Sequence, residues 1–182
     1  MEDLNLEARQ YGVGVSGGGE HVAISARIHH EVGNWIIQIV ASNAFTSVFR
    51  KPILEVSACT PELTRFVAKR YGERPASVFL EMDSGERIKL ECSRGVQQVD
   101  AMGPTLFCLP LRPVLTRLWE ECESEGVEAY AYLDDITIAA DEISPGTVGV
   151  VPFLERELTA RGIHLNAGRT IALTPKGHVA TP

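Results

Sequence analysis

The segment from Val127 to Ala140 constrains the fold more than any other part of the sequence. It consists of two short apolar stretches, residues 127–133 and 136–140, on either side of the adjacent acidic residues Asp134 and Asp135. Stretches of this length and composition predict strands, and Asp is favoured in the turn between them. The sequence therefore predicts a β-hairpin that carries two carboxylates at its tip.

These adjacent carboxylates have two interpretations. A plain surface turn is the simpler one, because Asp is common in turns whatever their function. The other is a metal site. Carboxylates exposed above a sheet, joined by a third from a neighbouring strand, can hold two magnesium ions about 3.5–4 Å apart for phosphoryl transfer. The surrounding sequence favours the second interpretation.

The rest of the chain alternates between helix-forming and strand-forming segments. The sequence predicts helices at residues 20–30, 44–58, 61–71, 104–121 and 145–161, and strands at 35–40, 77–82, 87–92, 163–165 and 170–173. Pro52 interrupts the second helix and is expected to divide it. This order predicts a mixed α+β fold, with helices packed on one face of a small antiparallel sheet.

Composition limits where such a chain works and what it binds. The 182 residues have a formal net charge of −7, which argues against tight binding of nucleic acid by the whole surface but leaves room for a local basic groove. No apolar run approaches the roughly 20 residues that span a bilayer. The N-terminus does not resemble a secretory signal, and the four cysteines lack metal-ligand spacing. We therefore expect an intracellular protein with free thiols.

Four other segments resemble motifs of a single family, in the family's order. Residues 10–20 (QYGVGVSGGGE) are similar to Q-F-G-V-G…G-G-A-E, and residues 38–50 (QIVASNAFTSVFR) to an apolar strand followed by D-x-x-NAFNSV-x-R. Residues 94–107 (RGVQQVDAMGPTLF) are similar to GVxQGDPLGPLLF, and residues 162–170 (GIHLNAGRT) to G-L-x-L-N-x-x-K-T. With residues 132–135 as the Y-x-D-D motif, the chain resembles the reverse transcriptase of retroelements without long terminal repeats.

This resemblance implies a fold, a chemistry and partners. Residues 35–182 would form the palm domain and residues 1–34 part of the fingers. The activity would be RNA-directed DNA polymerisation, with Mg²⁺ as cofactor and with RNA or DNA and deoxynucleoside triphosphates as partners. Asp134 and Asp135 would be the catalytic metal ligands. The positions matching nucleotide- or template-binding residues are Asn43, Phe45, Gln97, Gln98 and Arg169.

The sequence departs from the family at three of these motifs. Val40 stands where active members have a metal-binding aspartate, and valine has no oxygen to offer magnesium. Losing that carboxylate should cost several kcal/mol of transition-state stabilisation, or at least about a thousandfold in rate. Val99 replaces a glycine that lets the backbone approach the template, and Arg169 replaces a lysine implicated as a proton donor. Arginine binds phosphate well but is a poor acid.

We therefore expect a truncated, degenerate palm with little or no polymerase activity by itself. The motif matches begin in the middle of the fingers and end soon after Leu173, which leaves no thumb. Two alternatives remain open: a repurposed non-catalytic subunit with a structural or protein-binding role, and a polymerase fragment completed in trans. A palm without its neighbours would expose apolar surface for a protein partner or a second copy.

One competing motif is set aside. Residues 12–17 match G-x-G-x-x-G, the turn that binds a dinucleotide. That turn should follow a buried strand, and residues 5–10 do not have a strand-like pattern.

Overall fold

The computed structural model describes residues 9–58, 61–72, 76–97 and 100–175 of the chain. Its helices are α1 (Gly18–Glu31), α2 (Ala44–Ser47), α3 (Arg50–Ser57), α4 (Pro61–Tyr71), α5 (Gly103–Cys108), α6 (Arg112–Ser124) and α7 (Pro145–Thr159), with a 3₁₀ turn at Leu109–Leu111. Its strands are β1 (Trp35–Ile39), β2 (Ala41–Ser42), β3 (Ala76–Glu81), β4 (Arg87–Cys92), β5 (Glu128–Tyr132), β6 (Asp135–Ala140), β7 (His164–Leu165) and β8 (Ile171–Leu173).

The main sheet has four strands in the order β5-β6-β1-β8. Each neighbouring pair is antiparallel. Strands β1 and β6 are paired from Trp35 with Ala140 to Ile39 with Ile136. Strands β2 and β7 form one two-stranded sheet, and β3 and β4 another. The predicted α+β fold with a small antiparallel sheet is confirmed.

The core lies on one face of the main sheet. Ile39 and Ile138 are buried on this face and belong to the same cluster as apolar side chains of α5, α6 and α7. Because side chains alternate along a strand, Tyr130 and Thr137 lie on the opposite face. Helix α1 covers that face, where Nε2 of His29 lies 3.1 Å from the Tyr130 hydroxyl. The predicted palm helices thus share one face, and the helix of the predicted fingers segment packs on the other.

The helix predicted at residues 44–58 is divided, but not at Pro52. The break falls at Val48 and Phe49, which are extended with ψ angles of 134° and 137°. Their backbones bond to other elements: the Phe49 N–H donates to the Arg161 carbonyl at 2.8 Å. Pro52 lies in the first turn of α3, where a missing N–H costs nothing. The predicted place of the break was therefore wrong by three to four residues.

The predicted helix at residues 104–121 is also in two parts. Helix α5 ends at Cys108, the 3₁₀ turn contains Pro110, and α6 begins at Arg112. Pro113 is the second residue of α6, a position that tolerates proline. The two prolines therefore mark the junction between the helices.

The buried side chain of Gln10 joins the N-terminal segment to the tip of the β5–β6 hairpin. It is 3% exposed. Its Oε1 accepts from the Leu133 N–H at 2.7 Å, and its Nε2 donates to the Leu133 carbonyl at 3.1 Å. A Cβ on Gly12 would lie 2.6 Å from the Leu133 nitrogen. The hairpin tip is therefore fixed by a segment more than 100 residues earlier in the chain.

Two further expectations concern membranes and cysteines. None of the helices in the described ranges is both long and apolar enough to cross a membrane. Cys108 and Cys122 are buried free thiols, and Cys92 is an exposed one. The fourth cysteine, Cys59, lies outside the described residues.

The contact at Gly12 leads to a prediction of stability. Gly12→Ala should lower the free energy of unfolding by about 1–3 kcal/mol, because the new methyl group overlaps the Leu133 backbone. Gly149→Ala is the matched control: it lies in α7 with nothing within 4 Å of the added Cβ, so it should be neutral or stabilising. Urea unfolding of both variants measures the difference, and equal effects would contradict the tight contact.

Candidate active site

The tip of the β5–β6 hairpin carries the two aspartates. Strand β5 ends at Tyr132 and β6 begins at Asp135, so Leu133 and Asp134 form the turn. Leu133 has a φ of 56°, a backbone angle that residues other than glycine rarely adopt. The hydrogen bonds from Gln10 to both peptide groups of Leu133 compensate for that strain. The turn therefore holds the carboxylates in one defined arrangement.

Both carboxylates are half-buried, and this changes their titration. Burial raises the pKa of Asp134, against the smaller effects of its own backbone and of the Arg169 charge. Burial also raises the pKa of Asp135, the Asp134 charge raises it further, and Arg169 again lowers it. The structure thus brings Asp134, Asp135 and Arg169 into one electrostatic cluster.

Val40 lies beside these aspartates. Ile39, the last residue of β1, pairs with Ile136; Val40 follows Ile39 directly and Asp135 directly precedes Ile136. Val40 is 8% exposed. Its carbonyl accepts from the Asn166 N–H at 2.7 Å, which attaches the segment that carries Arg169. The position that matches the aspartate of the motif is therefore apolar and buried.

The carboxylate oxygens of Asp134 and Asp135 suit one magnesium ion better than two. In the described part of the chain, no three His, Cys, Asp or Glu side chains are grouped closely enough to hold a metal ion. Magnesium is often bound by one or two carboxylates together with water and substrate phosphates. Asp134 and Asp135 could therefore hold one such ion, with the remaining ligands supplied by water and substrate.

Asn43 and Phe45 lie just after β2, on the chain that continues from Val40. Asn43 is exposed, with a φ of 48° at the start of α2. Phe45 is half-buried, and its ring stacks on Phe107 with centroids 4.4 Å apart. One side of the Phe45 ring is thus buried against the core, while the Asn43 side chain is accessible to solvent.

Helix α4 clamps the loop that precedes α5. The Tyr71 hydroxyl donates to Oδ2 of Asp100 at 2.6 Å and accepts from the Gln97 N–H at 3.2 Å. Arg70 donates to Oε1 of Gln97 at 2.9 Å and lies 3.5 Å from Asp100. The hydrogen bond from Tyr71 is the largest cause of the lowered pKa of Asp100. The exposed Gln97 side chain is thereby held by α4.

Sequence reasoning missed this clamp and the role of Gln10. Gln98 and Val99, two of the positions singled out from the motif, lie outside the described residues. Arg70 and Tyr71 are more than 25 residues from the loop they hold, in a helix with no recognisable motif. Gln10 belongs to a motif segment, but nothing in the sequence linked it to Leu133. Only the fold brings these contacts together.

A comparison with known protein families found a match to most of the chain. The model of the family described as reverse transcriptase (RNA-dependent DNA polymerase) matches residues 6–177. The chain belongs to the reverse transcriptase family. Membership of the reverse transcriptase family, predicted from the five motifs, is thus confirmed. A comparison with curated proteins found no match.

Solved structures show the same reverse transcriptase fold at low sequence identity. The chain is similar to apo telomerase from Candida tropicalis truncated from the C-terminal domain: TM-score 0.70, 11% identity, 97% of this chain and 40% of that one. It is also similar to telomerase from Candida albicans in complex with a TWJ fragment of telomeric RNA: TM-score 0.70, 8% identity, 98% of this chain and 34% of that one. The chain thus spans two fifths or less of the length of these structures.

The raised pKa of Asp134 predicts that replacing the carboxylate by a neutral side chain stabilises the protein, by an amount that depends on pH. A carboxyl whose pKa is raised on folding contributes most to the free energy of unfolding below its unfolded pKa, about 3.9. This contribution is lost as the pH rises through the folded pKa. Asp134→Asn should therefore raise the free energy of unfolding at pH 7 by about 0.5 kcal/mol, a modest gain because solvent screens a half-exposed group. The gain should vanish near pH 4.

Urea unfolding at the two pH values, without divalent cations, measures this effect. The control is Asp141→Asn, which neutralises an exposed aspartate after β6. A loss of stability at pH 7 in Asp134→Asn alone would show that the carboxylate is stabilised by contacts rather than penalised by burial.

The α4 clamp predicts a cost for removing a single hydroxyl group. Tyr71→Phe should lower the free energy of unfolding by about 1–3 kcal/mol, because it leaves Asp100 and the Gln97 N–H without their shared partner. The lowered pKa of Asp100 stabilises the fold above about pH 3.9, so the cost should shrink as the pH falls below that value. Tyr132→Phe, at an exposed tyrosine, is the control for urea unfolding at pH 7 and pH 3.

Proposed function

We propose that the chain is a reverse-transcriptase-like domain of retroelement origin with little or no polymerase activity by itself. The burial of Val40 beside Asp135 carries this proposal, because it leaves the site one carboxylate short. Residues 35–182 would form the palm and residues 1–34 the part of the fingers that is present. Asp134 and Asp135 would be the metal ligands that remain.

The chemistry of the remaining groups follows from their charges. Bound magnesium would stabilise charge on the attacking and leaving oxygens of a phosphoryl transfer. Asp134 and Asp135 would hold the ion, while Val40 adds no ligand. Arg169 places a fixed positive charge near both carboxylates, which lowers their pKa values and offsets part of their mutual repulsion. Because arginine stays protonated, it would pair with phosphate and could not donate a proton to a leaving group.

Nucleic acid and deoxynucleoside triphosphates are the proposed partners of this site. One similar structure is a telomerase in complex with a fragment of telomeric RNA, and membership of the reverse transcriptase family points the same way. Asn43 and Gln97 are exposed, so their amide groups could reach a strand or a nucleotide. The net charge of −7 means that such binding must depend on local groups.

A second function, as a protein-binding subunit, is supported by the β3–β4 hairpin. Leu80 pairs with Ile88, and Leu90 lies on the same face two residues further along β4. These three side chains are 50%, 38% and 48% exposed. An apolar strip of this kind is a common place for a partner protein or a second copy to pack.

Primer extension with magnesium, and then with manganese, tests the proposed function. The natural chain should remain near background, while Val40→Asp should extend the primer at least about a thousandfold faster, because it restores the third carboxylate. Val40→Asn is the matched control: asparagine has almost the same shape as aspartate without its charge, so this variant should stay inactive. Adding Asp134→Asn to Val40→Asp should abolish the rescue.

Two other results would change the conclusion. Extension by the natural chain that disappears in Asp134→Asn would overturn the proposal, because the site would then work without the third carboxylate. If Val40→Asp folds but does not extend a primer, the missing carboxylate is not what limits activity. That result would favour the protein-binding function or completion of the polymerase by other chains.

A further inference from the structure

A cleft of about 570 Å³ lies between the α2–α3 segment and the connection from β4 to α5. It is lined by Thr46, Arg50 and residues 91–97. Gln97 is also among the lining residues, whereas Asp134, Asp135 and Arg169 are not, so the cleft does not include the acidic tip of the β5–β6 hairpin. We call it the Arg50 cleft.

Arg50 is a buried cation that has no carboxylate partner among the residues the structure describes. It is 8% exposed. Its Nε and Nη2 donate to the carbonyls of Gly95 and Arg94 at 3.1 and 3.2 Å, and its guanidinium lies 5.4 Å from the centre of the Tyr71 ring. Within the described ranges, no Asp or Glu oxygen lies within 4.0 Å of it. Burial lowers the pKa of Arg50, which shows that the surroundings do not fully compensate its charge.

Arg50 lines the cleft. Its Nη1 makes no hydrogen bond with the described part of the chain, where Nε and Nη2 bind the two carbonyls. A buried arginine normally has its charge paired, and its planar fork of donors suits an anion with several oxygens.

Other charges make the cleft locally basic. Arg94 is exposed at its wall, with the guanidinium 5.3 Å from the centre of the Phe49 ring. Glu91, the one carboxylate among the described lining residues, forms an exposed ion pair with Lys89 at 2.7 Å. This is a positive site on a chain whose net charge is −7.

We propose that the Arg50 cleft binds a phosphate group, carried by a nucleic-acid strand or by a free nucleotide, with Arg50 and Arg94 as the binding groups. The cleft is larger than one phosphate and falls in the usual volume range of small-molecule sites, so sugar or base atoms can enter with it. The proposal does not depend on polymerase activity, since its two binding groups, Arg50 and Arg94, are not the proposed metal ligands. Either one can therefore fail while the other stands.

Binding of a fluorescent single-stranded oligonucleotide at several salt concentrations tests the role of Arg94. Arg94→Gln should weaken binding several-fold and reduce the slope of log K against log salt by about 0.7, the value for one lost phosphate contact on a single strand. Arg27→Gln is the matched control, because it removes the same charge from an exposed position on α1 outside the cleft. Equal effects of the two variants would overturn binding of a strand in the cleft.

Alkylation of Cys92 gives a second readout that needs no activity. Cys92 is exposed, lines the cleft and lies close enough to Arg50 for their charges to interact. A bound phosphate ligand should slow its alkylation several-fold, measured by peptide mapping. The probes are the oligonucleotide, deoxyadenosine monophosphate and inorganic phosphate at equal phosphate concentration. Protection by the oligonucleotide alone assigns the site to strands, and protection by the mononucleotide as well assigns it to free nucleotides too.

Arg50 itself is tested by Arg50→Lys, which keeps the charge and loses the fork. Protection of Cys92 should fall in this variant while circular dichroism shows an unchanged fold. If the variant does not fold, Arg94→Gln provides the same alkylation test. No protection of Cys92 in the natural chain by any of the three probes, or full protection in both variants, would overturn the proposal.

Discussion

The antiparallel pairing of β1 with β6 is the interaction on which the rest of the structure depends. These two strands are the centre of the main sheet, and each contributes side chains to both faces. One face forms the floor of the core under α5, α6 and α7, and the other lies under α1. The same pairing continues toward the turn, where it brings Val40 next to Asp135. A shift of one residue in register would exchange the two faces and separate these positions.

The charges at the end of this pairing work against the hairpin tip. Burial works against both aspartates, and Arg169 partly compensates them. A complete metal site would compensate them more fully. The turn also keeps Leu133 at a positive φ, held by the buried amide of Gln10. Two half-buried carboxylates and a positive φ are costs to stability, and strain of this kind is common at functional sites.

The sequence was sufficient to predict the fold class, the hairpin with its acidic tip and the family, because five motifs in order carry far more information than any one of them. The sequence pattern placed the break in the 44–58 helix at Pro52. The helix in fact stops where the Val48 carbonyl accepts from the Gly95 N–H and the Phe49 N–H donates to the Arg161 carbonyl. Asp100 and Arg50 belong to motif segments, but no local pattern predicts that Tyr71 bonds to Asp100 or that Arg50 has no carboxylate partner among the described residues. Both arise from residues far apart in sequence, which only the folded chain brings together.

The bond between Gln10 and Leu133 has a consequence for the order of folding. The two residues are 123 positions apart, so this contact cannot close until the chain up to Leu133 is in place. Local elements such as α1 and the β3–β4 hairpin need no such closure and can form early. The tip that carries Asp134 should therefore reach its final shape among the last parts of the molecule. During synthesis on the ribosome, it could not do so until Leu133 had left the exit tunnel.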